Sequence, residues 1–144
     1  MDIRRSLKAK RAREAKDNNK YIMIAEAIRG EKENKPKYKK CAIYNRFSVK
    51  NDEAFEKTRQ ELIKYCEESL GITDYVIFEE VASVKAKRKV FDEMIDRIHH
   101  HEFSDVLVKH PNRLYRAEYN REKFDDIVFD ITRNGANIVS IADR

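Results

Sequence analysis

From Cys41 onward the chain alternates short apolar runs with amphipathic stretches, and this alternation restricts its fold more than any other feature. The runs are Cys41 to Phe47, Tyr75 to Phe78, Val106 to Val108 and Ile138 to Ile141. Helical patterns fill Glu53 to Leu70, Arg88 to His99 and a third stretch around Phe124. Strands alternating with helices of this length predict right-handed βαβ units and a parallel sheet. Each helix carries one apolar stripe at i, i+3, i+4 or i+7 spacing: Phe55, Leu62 and Cys66; Phe91, Met94, Ile95 and Ile98; Phe124, Ile127, Val128 and Ile131. Asn51 is placed to cap the first helix, and Gly71 and Gly135 to end the first and third.

The same pattern says where chemistry belongs. In an open doubly wound sheet ligands bind at the carboxyl ends of the strands. Ser48 follows the first strand, Ser83 and Arg88 the second, and Asn112, Arg113 and Arg116 the third. Period-2 spacing puts Tyr44, Arg46 and Ser48 on one face of the first strand, and at roughly 3.3 Å per residue Arg46 lies about 7 Å from Ser48, within joint reach of one phosphate. A serine ringed by guanidinium groups is an arrangement for a nucleophile acting on a phosphodiester. The plainer reading is also open: Ser48 as a turn residue, and Arg113 and Arg116, three apart on a forming helix, paired with Glu118. His99, His100 and His101 suit a helix end and solvent, without a metal.

Composition limits the partners. Residues 1–40 carry 14 Lys or Arg against 6 Asp or Glu, a net of +8, which leaves −3 on the other 104 residues of a chain whose total is +5. The basic surface is therefore an N-terminal arm, helix-forming through RRSLKAKRAREAKDNNK, with Arg4, Arg5, Lys8, Lys10, Arg11 and Arg13 as candidate phosphate contacts. A solvated tail is the alternative, although Tyr21, Ile22, Met23, Ile24 and Ile28 offer a docking face. No apolar run approaches the ~20 residues of a membrane span, and the N-terminus lacks a signal-peptide core, so a cytoplasmic protein without a membrane partner is expected. Cys41 and Cys66 fall at core positions and read as reduced, packed thiols.

From about Lys40 to Asp143 the chain resembles the catalytic domain of the serine recombinases, the resolvase and invertase family. The family's opening Tyr-x-Arg-x-Ser matches Tyr44, Arg46 and Ser48, and its Asp-Arg-Leu-x-Arg motif matches Asn112-Arg113-Leu114-Tyr115-Arg116, with Asn112 standing where the pattern has aspartate. Arg88 falls where the family places an arginine before the second helix, and Glu79-Glu80 where it has an acidic residue after strand two. The resemblance implies a flavodoxin-like, doubly wound, mainly parallel four-stranded sheet with flanking helices. It divides the chain into a basic helical extension and linker (1–39) and a catalytic domain (40–144) expected to be shortened at its C-terminus, since the family continues into a long helix and a DNA-binding domain.

The activity implied is strand cleavage and rejoining through a 5′-phosphoserine link, with DNA as substrate and a second copy or a partner recombinase chain as the other participant. Ser48 would be the nucleophile, Arg46, Arg88, Arg113 and Arg116 with Asn112 the catalytic surroundings, and Tyr44 a substrate contact or packing support. Ester exchange conserves bond energy, so no metal and no nucleotide cofactor is expected, in keeping with the absence of GxxxxGK[ST] and GxGxxG motifs. Two other readings stay open: a catalytically impaired relative that binds DNA or regulates a recombinase, and an unrelated phosphate-binding α/β enzyme.

Overall fold

The computed structural model describes residues 38–141. Four strands, β1 (Cys41–Phe47), β2 (Tyr75–Val81), β3 (Asp105–Val108) and β4 (Asn137–Ser140), form one sheet in the order β2-β1-β3-β4. Every neighbouring pair is parallel. Three helices provide the crossovers: α1 (Asp52–Lys64), α2 (Lys89–His99) and α3 (Arg121–Arg133). The arm, with Arg4, Arg5, Lys8, Lys10, Arg11 and Arg13, lies outside the described residues.

β1 is buried on both faces, which is why it opens as an unbroken apolar run, Cys41 to Tyr44. Ala42 and Tyr44 point into the larger core with Phe91, Met94 and Ile98 of α2 and Phe124, Val128 and Ile131 of α3. Cys41 and Ile43 point the other way, onto Leu62 and Cys66. Phe78 of β2 meets Phe103 edge-on with centroids 5.8 Å apart, closing the larger core beneath α2. Both cysteines are buried free thiols; their mutual hydrogen bond and then burial push the Cys41 thiol up, the direction expected of an inert core group.

Local chemistry sets the ends of the helices. Asn51 caps α1 by accepting from the Ala54 N–H at 3.1 Å, and Asn120 does the same for α3 with Lys123 at 3.0 Å. The first helical stretch does not stay α-helical to Leu70: Tyr65–Ser69 widens into a π-helical turn, and the chain leaves it through Gly71, whose φ of +68° is open to glycine without strain. Gly135, at φ +95°, ends α3 in the same way.

Two expectations are corrected. β2 runs on through Glu79 and Glu80 to Val81, so the two glutamates are strand residues with side chains on opposite faces, not a loop after the strand. The segment after β3 is a single 3-10 turn, Pro111–Arg113, followed by irregular chain. Pro111 starts that turn and His110 Nδ1 accepts from the Asn112 N–H at 3.1 Å, so Arg113 and Arg116 do not share a helix.

Candidate active site

The carboxyl ends of β1, β2 and β3 meet at one edge, and Arg46 holds them together there. Its side chain is only 2% exposed. Nε donates to the main-chain oxygen of Arg113 at 2.9 Å, Nη2 to that of Asn112 at 3.1 Å, and Nη1 to that of Ala82 at 2.9 Å. Since β1 lies between β2 and β3, this one guanidinium fixes the loop after each neighbouring strand. The Ala82 N–H in turn donates to the Phe47 oxygen at 2.9 Å, fastening the β2 loop to the last residue before Ser48. Burial pushes the Arg46 pKa down to about 10, helped by the charges of Arg88, Arg113 and Arg116 and opposed by Tyr44; it remains a cation at neutral pH.

Arg88 is the residue just before α2 and is 6% exposed. Its Nη1 donates to the same Arg113 oxygen at 3.2 Å and to the Tyr44 hydroxyl at 3.4 Å. The guanidinium lies 3.8 Å from the centroid of Phe91, a cation–π contact that helps hold a desolvated charge. Two arginines from different elements thus converge on one carbonyl. That carbonyl belongs to a third arginine, Arg113, whose half-buried side chain reaches Asn112 Oδ1 at 3.4 Å and faces the Phe47 ring at 5.5 Å. Burial and the nearby Arg116 lower its pKa.

Beneath the arginines lies Glu80, one of the two glutamates that stand where the resemblance places an acidic residue. Glu80 accepts from the Val90 N–H at 3.2 Å and the Phe91 N–H at 3.0 Å, capping the first turn of α2 from a neighbouring strand, and its Oε2 also accepts from the Tyr44 hydroxyl at 2.5 Å. Glu79, one residue earlier, faces the opposite side and binds Asn45 at 2.8 Å and Arg59 at 2.8 Å. The signal for both was in the sequence: alternation along a strand extended to Val81 sends them to opposite faces.

The structure separates the sequence candidates into two groups. Ser48 is exposed in a bend immediately after β1 and makes no hydrogen bond among the described residues, so its hydroxyl is available. Asn112 and Arg113 are partly exposed at the same sheet edge, and Arg116 is bound at 3.3 Å by Glu118 at the surface. Tyr44, expected as a substrate contact or as packing support, is wholly buried, with its hydroxyl committed to Glu80 and Arg88. Arg46, expected to share a phosphate with Ser48, spends three of its five N–H groups on main-chain oxygens. Across the ends of the loops Lys85 sits 4.2 Å over the ring of Tyr119, joining the β2 loop to the chain beyond Arg116. Among the described residues no His, Cys, Asp or Glu cluster has the form of a metal site.

The family described as Resolvase, N terminal domain, matches residues 41–144. The chain belongs to that family. Its fold and family are those of site-specific recombinase catalytic domains, enzymes that cut and rejoin DNA strands. The resolvase domain is similar to the N-terminal catalytic domain of TP901-1 integrase, at 28% identity and a TM-score of 0.53, over 73% of this chain and 78% of that one. It is likewise similar to a serine recombinase from Sulfolobus solfataricus, at 27% identity and a TM-score of 0.52, over 72% and 69%. The C-terminal catalytic domain of ISC1926 TnpA, an IS607-like serine recombinase, shares the fold at 22% identity and a TM-score of 0.52, over 71% and 69%. Comparison with curated proteins finds no significant match. No helix among the described residues is long and apolar enough to cross a membrane.

Proposed function

We propose that the resolvase domain cleaves and rejoins DNA by direct transesterification at Ser48, in the movement or inversion of a DNA element. Ser48 Oγ bonds to the phosphorus of a backbone phosphodiester, the bond to the 3′ oxygen breaks, and the serine proton ends on that oxygen. The product is a 5′-phosphoserine and a free 3′-hydroxyl, and the reverse attack reseals a strand without a nucleotide cofactor. The observation that carries this reading is an exposed, unengaged serine hydroxyl at the end of β1, with Arg46, Arg88, Arg113 and Arg116 gathered at the same sheet edge.

Within this reading the arginines divide the work. Arg113 and Arg116, the more exposed pair, meet the phosphate, where planar guanidinium forks match its oxygens and stabilise charge gained at the pentacoordinate transition state. Arg46 and Arg88 act from beneath, holding the turn that presents Asn112 and Arg113. The basic arm supplies further contacts to the DNA backbone, and a second recombinase chain completes the synapse.

Incubation with a nicked cognate site and any required partner chain should give a denaturation-resistant protein–DNA adduct that Ser48→Ala abolishes. An adduct that survives this change rejects Ser48 as the nucleophile. Asn112 favours one other reading, a relative that binds DNA or a recombinase without cutting; that protein would bind and show no adduct under any of these conditions.

A further inference from the structure

Two loops at the edge where Ser48 lies touch at their tips. The first follows β2: the Ala86 N–H donates to the Ser83 oxygen at 3.0 Å and the Lys85 N–H to Ser83 Oγ at 3.2 Å, a tight turn with Val84 buried in the larger core. The second lies beyond Arg116, where the Tyr119 N–H donates to the Arg116 oxygen at 3.0 Å while Ala117 packs on the same core and Asn120 caps α3. Each turn therefore roots an apolar residue and presents another residue outward: Lys85 from the first, Tyr119 from the second. The Lys85 ammonium lies 4.2 Å from the centroid of the half-exposed Tyr119 ring, and the Arg116 guanidinium lies 5.9 Å from it. The carboxylate beside them, Glu118, is bound to Arg116. Lys87, exposed two residues on, makes no ion pair among the described residues.

We propose that the turn after β2 is a DNA-backbone subsite in which Lys85 rests on the Tyr119 ring in the free domain and passes, together with Lys87, onto phosphates flanking the one that Ser48 attacks. The reach is right. The Ala82 N–H is bonded to the oxygen of Phe47, next to Ser48, and the three residues from Ala82 to Lys85 span at most roughly 10 Å, while phosphates follow one another about every 3.4 Å along the axis of a strand. The electrostatics favour the transfer. Two cations share one ring and repel each other, and an exposed cation–π contact is weaker than a charge-assisted bond to a phosphate oxygen. DNA therefore takes Lys85 from Tyr119, and the contact between the two loops opens as the strand enters. Until then the ring holds a flexible ammonium where the strand will pass, which lowers the ordering cost of binding.

This inference rests on the transesterification reading for the place of the attacked phosphate, and it is tested without cleavage, on the full chain carrying Ser48→Ala. Binding to a short duplex of nonspecific sequence is followed by fluorescence anisotropy across a salt series. Lys85→Gln and Lys87→Gln should each flatten the plot of log affinity against log salt by about 0.9, and Lys64→Gln, at the far end of α1, should leave it unchanged. Tyr119→Leu should keep the slope with equal or tighter binding, because it removes the competitor and no charge. In NMR spectra the Lys85 ε-methylene protons, lying over the ring, should be shifted upfield in the free chain and in Tyr119→Phe but not in Tyr119→Leu, and saturating duplex should abolish the shift. An unchanged slope for Lys85→Gln overturns the proposal, as does a ring-shifted Lys85 that duplex leaves in place. Flattened slopes and a released Lys85 in a chain whose Ser48 form gives no adduct would uphold the subsite and reject the transesterification reading instead.

Discussion

Arg46 Nε donates to the main-chain oxygen of Arg113 across 67 positions of sequence, at 2.9 Å, so the middle strand of the site carries the turn of its neighbour. The Tyr-x-Arg-x-Ser run is thus two things at once. Its first two named residues face inward and organise the loops, and the third leaves the strand to meet solvent.

Arg46→Ala should accordingly damage the fold more than removal of a surface arginine would. It removes the side-chain partner of the Ala82 and Asn112 oxygens and leaves the Arg113 oxygen with Arg88 alone, and each buried oxygen left unpaired costs about 1–3 kcal/mol. A loss of about 3 kcal/mol or more in urea unfolding is expected. Arg46→Lys should recover only part of this, since an ammonium cannot reproduce the planar fork that reaches both loops. A loss under about 1 kcal/mol for the alanine variant would mean that water reaches those oxygens.

A second prediction concerns Tyr44. Burial, and then the hydrogen bond to Glu80, raise its phenol above the ordinary 10.0, with the charge of Arg88 opposing. In the unfolded chain the phenol ionises near that ordinary value, while in the fold it stays protonated to higher pH. The stability that depends on the neutral phenol is therefore complete below about pH 10 and is lost as pH rises further, by up to about 1.4 kcal/mol per unit. Denaturant unfolding at about pH 9 and about pH 11 should show wild type losing ground to Tyr44→Phe. An unchanged gap between the two proteins would reject a buried, protonated Tyr44.

Much of this architecture was legible in the sequence. The limits of β1, the Asn51 cap and the turns at Gly71 and Gly135 follow from apolar runs and local backbone chemistry, and the structure keeps them. Charged side chains hid the rest of β2: Glu79 and Glu80 look like the end of an apolar run because their partners, Arg59, Tyr44 and the start of α2, lie elsewhere in sequence. The burial of Arg46 was equally hidden. Alternation gives the face on which a residue lies, but the three carbonyls that accept its N–H groups come from loops 36 to 67 positions away. Pro111 and the His110 cap convert the expected helix start into one 3-10 turn, a competition between turn types that spacing alone does not settle.

The arm gives a third prediction, in solution. If residues 1–39 neutralise DNA phosphates, removing them should weaken binding to nonspecific duplex DNA and flatten the plot of log affinity against log salt by about 0.9 for each phosphate no longer neutralised. Replacing Arg4, Arg5, Lys8, Lys10, Arg11 and Arg13 by glutamine should reproduce most of that change. Equal slopes for the intact and shortened chains would make the arm a tail or a docking segment.

The fourth prediction turns on Asn112, whose Oδ1 accepts from Arg113 at 3.4 Å while its main-chain oxygen holds Arg46. The amide keeps the shape of a carboxylate, but it neither accepts a proton at neutral pH nor offsets the surrounding guanidinium charge. If a carboxylate here serves as general base, its absence slows cleavage by roughly 10²–10⁴-fold. Asn112→Asp should then raise the rate of adduct formation at Ser48 and leave DNA affinity equal or slightly weaker, because one negative charge is added beside the phosphate site. The main-chain bond to Arg46 does not depend on the side chain, so stability should change little. Arg113→Ala should act oppositely, lowering the rate by about 10²–10³-fold whichever residue occupies position 112. A fast parent with no gain from Asn112→Asp would show that the amide is no handicap and would remove the case for a regulator; no adduct from either form, with a partner chain supplied, would reject the catalytic assignment.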